Sequence, residues 1–228
     1  MMKATLYKIG NLCGVLAPVL WAGAIIFCGS LRPEYNHWTQ YISELGERGS
    51  STEFIIRYAG FVPTGLMHVA FAVFLYAVFK GRRLAAIAAL LLAINGLARV
   101  GAGLFPCEVG CAGPRLLLSQ KLHSISSGVG FFALIGAAVL WGILLRRYRR
   151  LRGLSLYSIV SGLLGLVFLG MMLRDAERRT GVGLYERLST GVLSLWVFVF
   201  AVRLWWLKAY KLNPVESSID STNFRSPN

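Results

Sequence analysis

Arg99 lies inside an otherwise apolar stretch, Leu84 to Phe105, where a cation has no water to solvate it. An arginine near the centre of a membrane span costs roughly 2.5–3.5 kcal/mol to insert before any partner is found. It therefore calls for an acceptor. Glu44, Glu108, Asp175 or Glu177 dipping from the loops would serve, as would the phosphate of a bound lipid gripped in bidentate fashion. Asn95 stands four residues earlier, on the same side of a helix. The preceding apolar stretch carries Gly60, Thr64 and His68 at the same spacing. Counted at about 1.5 Å per residue from one end, His68 and Asn95 are level near 15 Å, and Thr64 and Arg99 near 9 Å. Two facing stripes are expected, on which an imidazole and an amide either orient a ligand and move a proton or simply tie two helices together.

The remaining chemistry gathers between Phe105 and Ser127, FPCEVGCAGPRLLLSQKLHSISS. Cys107 and Cys111 share a loop containing Gly and Pro, and the expectation there is a structural disulfide. The CxxxC spacing lacks the form of a thioredoxin-like redox pair. Three histidines, His37, His68 and His123, raise the question of a metal. His123 begins a span and His68 sits about 15 Å deeper, too far for bonds near 2 Å. Only His37 and His123 with an outer-loop glutamate remain, and no HExxH spacing supports them, so neither metal nor cofactor is expected. Ser43, Ser124, Ser126 and Ser127 neighbour His37 or His123 in sequence without a GxSxG elbow. If the protein is an enzyme, Glu44, Glu108 and His123 are the candidates for general base.

These residues must be held by membrane helices. Of the 228 residues 56% are hydrophobic and 15% charged, against about a quarter charged in soluble domains. Six windows are long enough to cross a hydrocarbon core of about 30 Å: Ile9 to Cys28, Tyr58 to Phe79, Leu84 to Phe105, Leu122 to Leu145, Leu154 to Leu173 and Leu188 to Leu207. The first is longer than a signal-peptide core and is retained as a span. The fold class is all-α, one six-helix transmembrane bundle over residues 1–207, followed by a disordered cytoplasmic tail over 208–228. Ser161 and Gly165 form a small-xxx-small pair that predicts close helix packing. Between the first two spans, Trp38, Tyr41, Ile42 and Leu45 recur at helical spacing and predict a short amphipathic helix at the interface.

The net charge of +14 sorts by side. Lys3, Lys8, Lys80, Arg82, Arg83, Arg146, Arg147, Arg149, Arg150, Arg152, Lys208, Lys211 and Arg225 flank one set of span ends, facing only Glu216 and Asp220. The opposite loops carry nine Lys or Arg against eight acids. The positive-inside rule then places both termini in the cytoplasm of a multi-pass cell-membrane protein. A nucleic-acid partner is excluded, because the cations lack interleaved stacking residues on a soluble face.

YISELG in the first outer loop, Asn95 and Gly96 in the third span, FPCEVGC after it and LHSISSG opening the fourth resemble the family numbered 998 among domains of unknown function, over roughly residues 8 to 207. The most specific parts are Ser43 to Gly46, Phe105 to Cys111 and His123. Where that family often has ISD, this chain has Ile42, Ser43 and Glu44, and the acid after FPC is Glu108; each acid is one methylene longer. More remotely, the placement of ISELG is similar to the Frag, DRAM and Sfk membrane proteins, some linked to lipid remodelling or membrane organisation. The resemblance implies an integral membrane protein of unestablished activity with a site on its outer face. Ser43, Glu44, His68, Asn95, Arg99, Glu108, His123 and Ser127 are expected to bind a lipid headgroup or other amphiphile, with membrane lipids as partners. A lipid hydrolase or transferase, metal-assisted or not, and a structural protein with Arg99 as its clamp are the alternatives. The oligomeric state is not legible.

Overall fold

The structure, a computed structural model, describes residues 2–111 and 117–209. Among these, six helices are long and apolar enough to span a membrane, and no strand occurs. They are α1 (Met2–Ser30), α2 (Glu53–Val78), α3 (Arg83–Leu104), α4 (Leu118–Leu145), α5 (Arg152–Asp175) and α6 (Val182–Trp206). Helices are the form in which a chain satisfies every backbone polar group without water, which is why six apolar windows become six spans. Each helix packs on its neighbour in sequence, and α6 closes the ring against α1. The expected disordered tail lies outside the described residues from 210 onward, as do residues 112–116.

Lipid tails are as apolar as leucine, so close packing must hold these helices together. Small residues permit it. At the α2–α3 crossing, a Cβ on Gly65 would stand 2.5 Å from the Gly96 carbonyl oxygen, and a Cβ on Gly96 equally close to that of Gly65. At α4–α5 the Ser155 hydroxyl donates to the Gly142 carbonyl at 2.7 Å. At α5–α6 Ser189 donates to the Gly165 carbonyl at 2.9 Å, and the Trp196 indole to the Ser158 hydroxyl at 2.9 Å. Gly165, half of the small-residue pair, accommodates Leu193.

Two apolar clusters result. The larger, built around Phe71, Phe74, Trp141, Trp196 and Phe200, is centred nearer the basic loops and extends along α5 and α6 to Met172 and Val182. The smaller joins Trp21, Tyr35, Ile42, Leu45, Ile56 and Phe61 beneath the opposite end. That end is closed by the segment between α1 and α2, and here the sequence expectation fails. Trp38 is 58% exposed, and only Ile42–Gly46, the ISELG residues, form a single 3-10 turn, with Ile42 and Leu45 buried. The segment plugs the bundle end and does not lie along the interface as a helix. Its backbone is satisfied from the side: Glu44 accepts from the Tyr41 N–H at 2.9 Å, Glu186 from the Ile42 N–H at 2.5 Å, and the Tyr41 carbonyl from the Tyr35 hydroxyl at 2.8 Å.

All six helices also begin earlier than their apolar windows, and for α2 and α6 the added turns matter. α2 starts at Glu53, and its Ile56–Phe61 stretch winds as a π-helix. Arg57 in that stretch donates to the Gly103 and Leu104 carbonyls, at 2.7 and 2.9 Å, so it caps the end of α3. α6 starts at Val182 and lays its first turn on the ISELG segment, with the Leu184 N–H donating to the Trp38 carbonyl at 3.0 Å.

Candidate functional site

The two stripes meet rung by rung. His68 Nδ1 lies 2.7 Å from Asn95 Oδ1, and the Asn95 amide nitrogen donates across to the Gly130 carbonyl of α4 at 2.8 Å. One level nearer the ISELG end, Arg99 donates to the Thr64 hydroxyl at 3.4 Å, while that hydroxyl donates to the Gly60 carbonyl at 2.7 Å. The other face of the guanidinium lies over the Trp21 ring, 4.4 Å from its centroid. Among the described residues no carboxylate stands within ion-pair distance of Arg99. The cation is half-buried and held by a hydroxyl and a ring.

Arg99 borders a small cavity of ≈ 60 Å³ between the two apolar clusters. Asn95 and Arg99 of α3, Ser126 and Ser127 of α4, and Glu186 and Thr190 of α6 supply its polar lining. Ser43 of the ISELG turn roofs it, and Trp21, Phe61 and Phe131 form apolar walls. Glu186, 9% exposed, uses one carboxylate oxygen to accept from Ile42; its other oxygen has no hydrogen-bond partner among the described residues.

Of the residues nominated from sequence, Ser43, Asn95, Arg99 and Ser127 line this cavity, and His68 stands behind it through Asn95. Glu44, Glu108 and His123 do not line it. Glu44, 2% exposed, is held by Arg179, by the Gln40 amide at 2.9 Å and by the Tyr41 N–H. Burial lifts its carboxyl above the ordinary range against the pull of those donors. Glu108 pairs with Arg48 at 3.1 Å on the surface. His123 Nδ1 faces the Phe105 and Ala102 carbonyls at 2.8 and 3.1 Å, which ties α4 to the end of α3. The loop clamps are thus other arginines: Arg32 on Glu34 and Glu47, Arg57 on Glu53, Arg179 on Glu44.

The Cys107 and Cys111 sulfurs stand at disulfide distance, with Cα atoms 5.0 Å apart. Gly110 between them takes a φ of 74°, which a side chain would resist, and its N–H donates to Glu47. Among the described residues the metal-type ligands that converge are Cys107, Cys111 and His123. His37 is not with them; it sits against Tyr35, with ring centroids 5.0 Å apart. The pairing of His37 with His123 as a ligand set therefore fails on geometry.

The family model described as "Protein of unknown function (DUF998)" matches residues 15–203. The chain belongs to that family. No curated protein and no solved structure matches it. The family's match covers all six spans in whole or part, and with them every wall of the cavity.

Sequence reasoning did not place Glu186, Thr190 or Trp21 in the site, and considered Ser126 only as a neighbour of His123. Glu186 and Arg187 read as loop because their neighbourhood, RDAERRTGVGLYER, is mixed in charge. The available signal was spacing: Glu186, Thr190 and Ser194 recur every four residues, a polar stripe continuous with the apolar span. Chemically, the cavity offers one fixed cation, one buried carboxyl group and several hydroxyls inside an apolar shell.

Proposed function

We propose that this protein is a multi-pass membrane protein that binds an amphiphile by its anionic headgroup, with Arg99 as the anion-binding residue. The reading rests on one observation: a half-buried guanidinium borders a cavity with no carboxylate at ion-pair distance among the described residues. Ion pairing is the ordinary way to offset a cation in hydrocarbon, and a cation–π contact with one long hydrogen bond offsets it only in part. A phosphate or carboxylate oxygen in the cavity completes the set. Ser43, Ser126 and Ser127 border the same space with hydroxyls able to donate to such an anion, whereas the Thr190 hydroxyl donates to the Glu186 carbonyl at 2.9 Å. The ISELG end is the non-cytoplasmic one in this reading, so the site serves the outer leaflet.

The test is native mass spectrometry of protein purified in mild detergent, wild type beside Arg99→Ala and Arg99→Gln. A discrete lipid adduct on wild type, lost from variants that still elute as folded protein, is the expected result. Wild type free of adduct, with both variants unfolded, would make Arg99 a structural residue and overturn the reading.

A further inference from the structure

The cavity shares part of its wall with a second feature. A groove of ≈ 560 Å³ runs between α1 and α6, lined by Pro18, Val19, Ile26, Arg187, Leu195 and Phe198 among others. Trp21 and Thr190 line both the groove and the cavity. From Arg187 to Phe198 the groove covers twelve residues of α6, about 16 Å end to end at 1.5 Å per step, or half a hydrocarbon core of about 30 Å. It spans one leaflet, from the ISELG end to mid-membrane. Its floor is apolar, and its ISELG end carries a cation.

Two buried donors at this junction lack acceptors. Among the described residues the Trp21 indole N–H and the Arg187 Nε–H have no hydrogen-bond partner, as is also true of the Trp141 indole in the larger apolar cluster, although Arg187 spends its other nitrogens on Tyr35, Gln40 and Gly183. Orphaned buried donors are uncommon in native structures and point to an acceptor supplied by something else. The cavity itself carries both signs. Arg99 and Glu186 border the same space without pairing with each other, and each has capacity left. A plain anion would satisfy Arg99 and face Glu186 at close quarters.

We propose that the ligand is a phospholipid with a primary ammonium in its headgroup, which enters sideways from the leaflet between α1 and α6. Its phosphate sits on Arg99, its ammonium donates to Glu186, and an acyl chain lies in the groove. This inference rests on the headgroup-binding reading above and sharpens it to a lipid class. A primary ammonium is required because the unpartnered carboxylate oxygen accepts N–H hydrogen bonds, which a quaternary ammonium cannot supply. Glycerol headgroups offer the phosphate and leave Glu186 unanswered.

The experiment offers delipidated protein equal amounts of dioleoyl phosphatidylethanolamine and dioleoyl phosphatidylglycerol in detergent and counts retained lipid by native mass spectrometry. Wild type is expected to keep the ethanolamine lipid roughly tenfold over the glycerol lipid, the worth of about one charge-assisted hydrogen bond. Glu186→Gln, which keeps an acceptor for the Ile42 N–H, brings that ratio near one by lowering retention of the ethanolamine lipid. Gly191→Phe fills the groove at a position where a Cβ meets no atom within 4 Å. It is expected to lower retention of both lipids while leaving the thermal shift by soluble glycerophosphoethanolamine at its wild-type value. Equal retention of the two lipids by wild type, or a preference for the glycerol lipid, overturns the ammonium assignment even if Arg99-dependent binding stands. Undiminished retention by Gly191→Phe overturns the lateral route. Absence of any Arg99-dependent adduct defeats the underlying reading as well.

Discussion

Asn95 holds three helices at one point, accepting from or facing His68 on α2 and donating to the Gly130 carbonyl on α4. Interhelical hydrogen bonds in membranes are worth about 0.6 kcal/mol each and up to ~1.7. Asn95→Ala is therefore expected to lower unfolding stability in detergent by about 1–2 kcal/mol, because it strands a buried imidazole nitrogen and a carbonyl together. A change in thermal midpoint no larger than that of a lipid-facing substitution such as Leu97→Ala would refute it. His37 gives a pH signature. Burial first, then the Arg187 charge, hold its imidazole below the ordinary value of 6.5. The unfolded chain then binds a proton more readily than the folded one. The corresponding stability is present above pH 6.5 and is lost as pH falls through the folded value. His37→Gln should lose less thermal stability than wild type between pH 7 and pH 5, with His68 and His123 common to both. Parallel midpoints across that range would remove His37 as a contributor. At this scale the sequence was most legible where spacing alone decides: Arg99 and Asn95 had to share a face, and so did Thr64 and His68. It was least legible for Glu44 and His123, whose partners come from Arg179 and the end of α3, remote in sequence.

The elements are held by glycine at one crossing and by a roof at one end. Gly65 and Gly96 let α2 and α3 approach until a Cβ on either would meet backbone at 2.5 Å. Gly65→Ala must separate the helices, at a cost of about 1–3 kcal/mol, and it loosens the rungs that carry Thr64 and His68. Gly23→Ala on α1 meets no atom within 4 Å and is expected to be neutral or stabilising by up to about 1 kcal/mol, since alanine favours the helix. Thermal unfolding of the two variants side by side checks the contrast, and equal midpoints would deny the crossing its role. The six spans were readable because length and hydropathy suffice to define them. The roof was not. Trp38, Tyr41, Ile42 and Leu45 carry a helical period, but Tyr35 of the same loop and Glu186 of α6 satisfy the backbone around the ISELG turn and draw it into the bundle. Periodicity cannot register an acceptor that lies 144 residues away.

The whole molecule has one polar, plugged end and one basic end, and its proposed chemistry depends on which faces the cytoplasm. Charge supplies the argument. Lys80, Arg82, Arg83, Arg146, Arg147, Arg149, Arg150 and Arg152 crowd two short loops at the end away from the cavity, with no acid among them. At the ISELG end Arg32, Arg48, Arg57 and Arg179, four of the nine cations there, each pair with a glutamate. Short loops dense in Lys and Arg resist translocation, so both termini should lie in the cytoplasm and the cavity should open to the outer leaflet. Single cysteines placed at Lys80 and at Ser50 in a background with Cys13, Cys28, Cys107 and Cys111 replaced by serine report this directly. A membrane-impermeant maleimide applied to intact cells should label the Ser50 site and spare the Lys80 site until the cells are broken. Lys80 is exposed at the basic end, so a probe there displaces no packed side chain. The reverse pattern would turn the molecule over, place the groove in the cytoplasmic leaflet, and shift the expected lipid supply to that side without changing what Arg99 and Glu186 recognise.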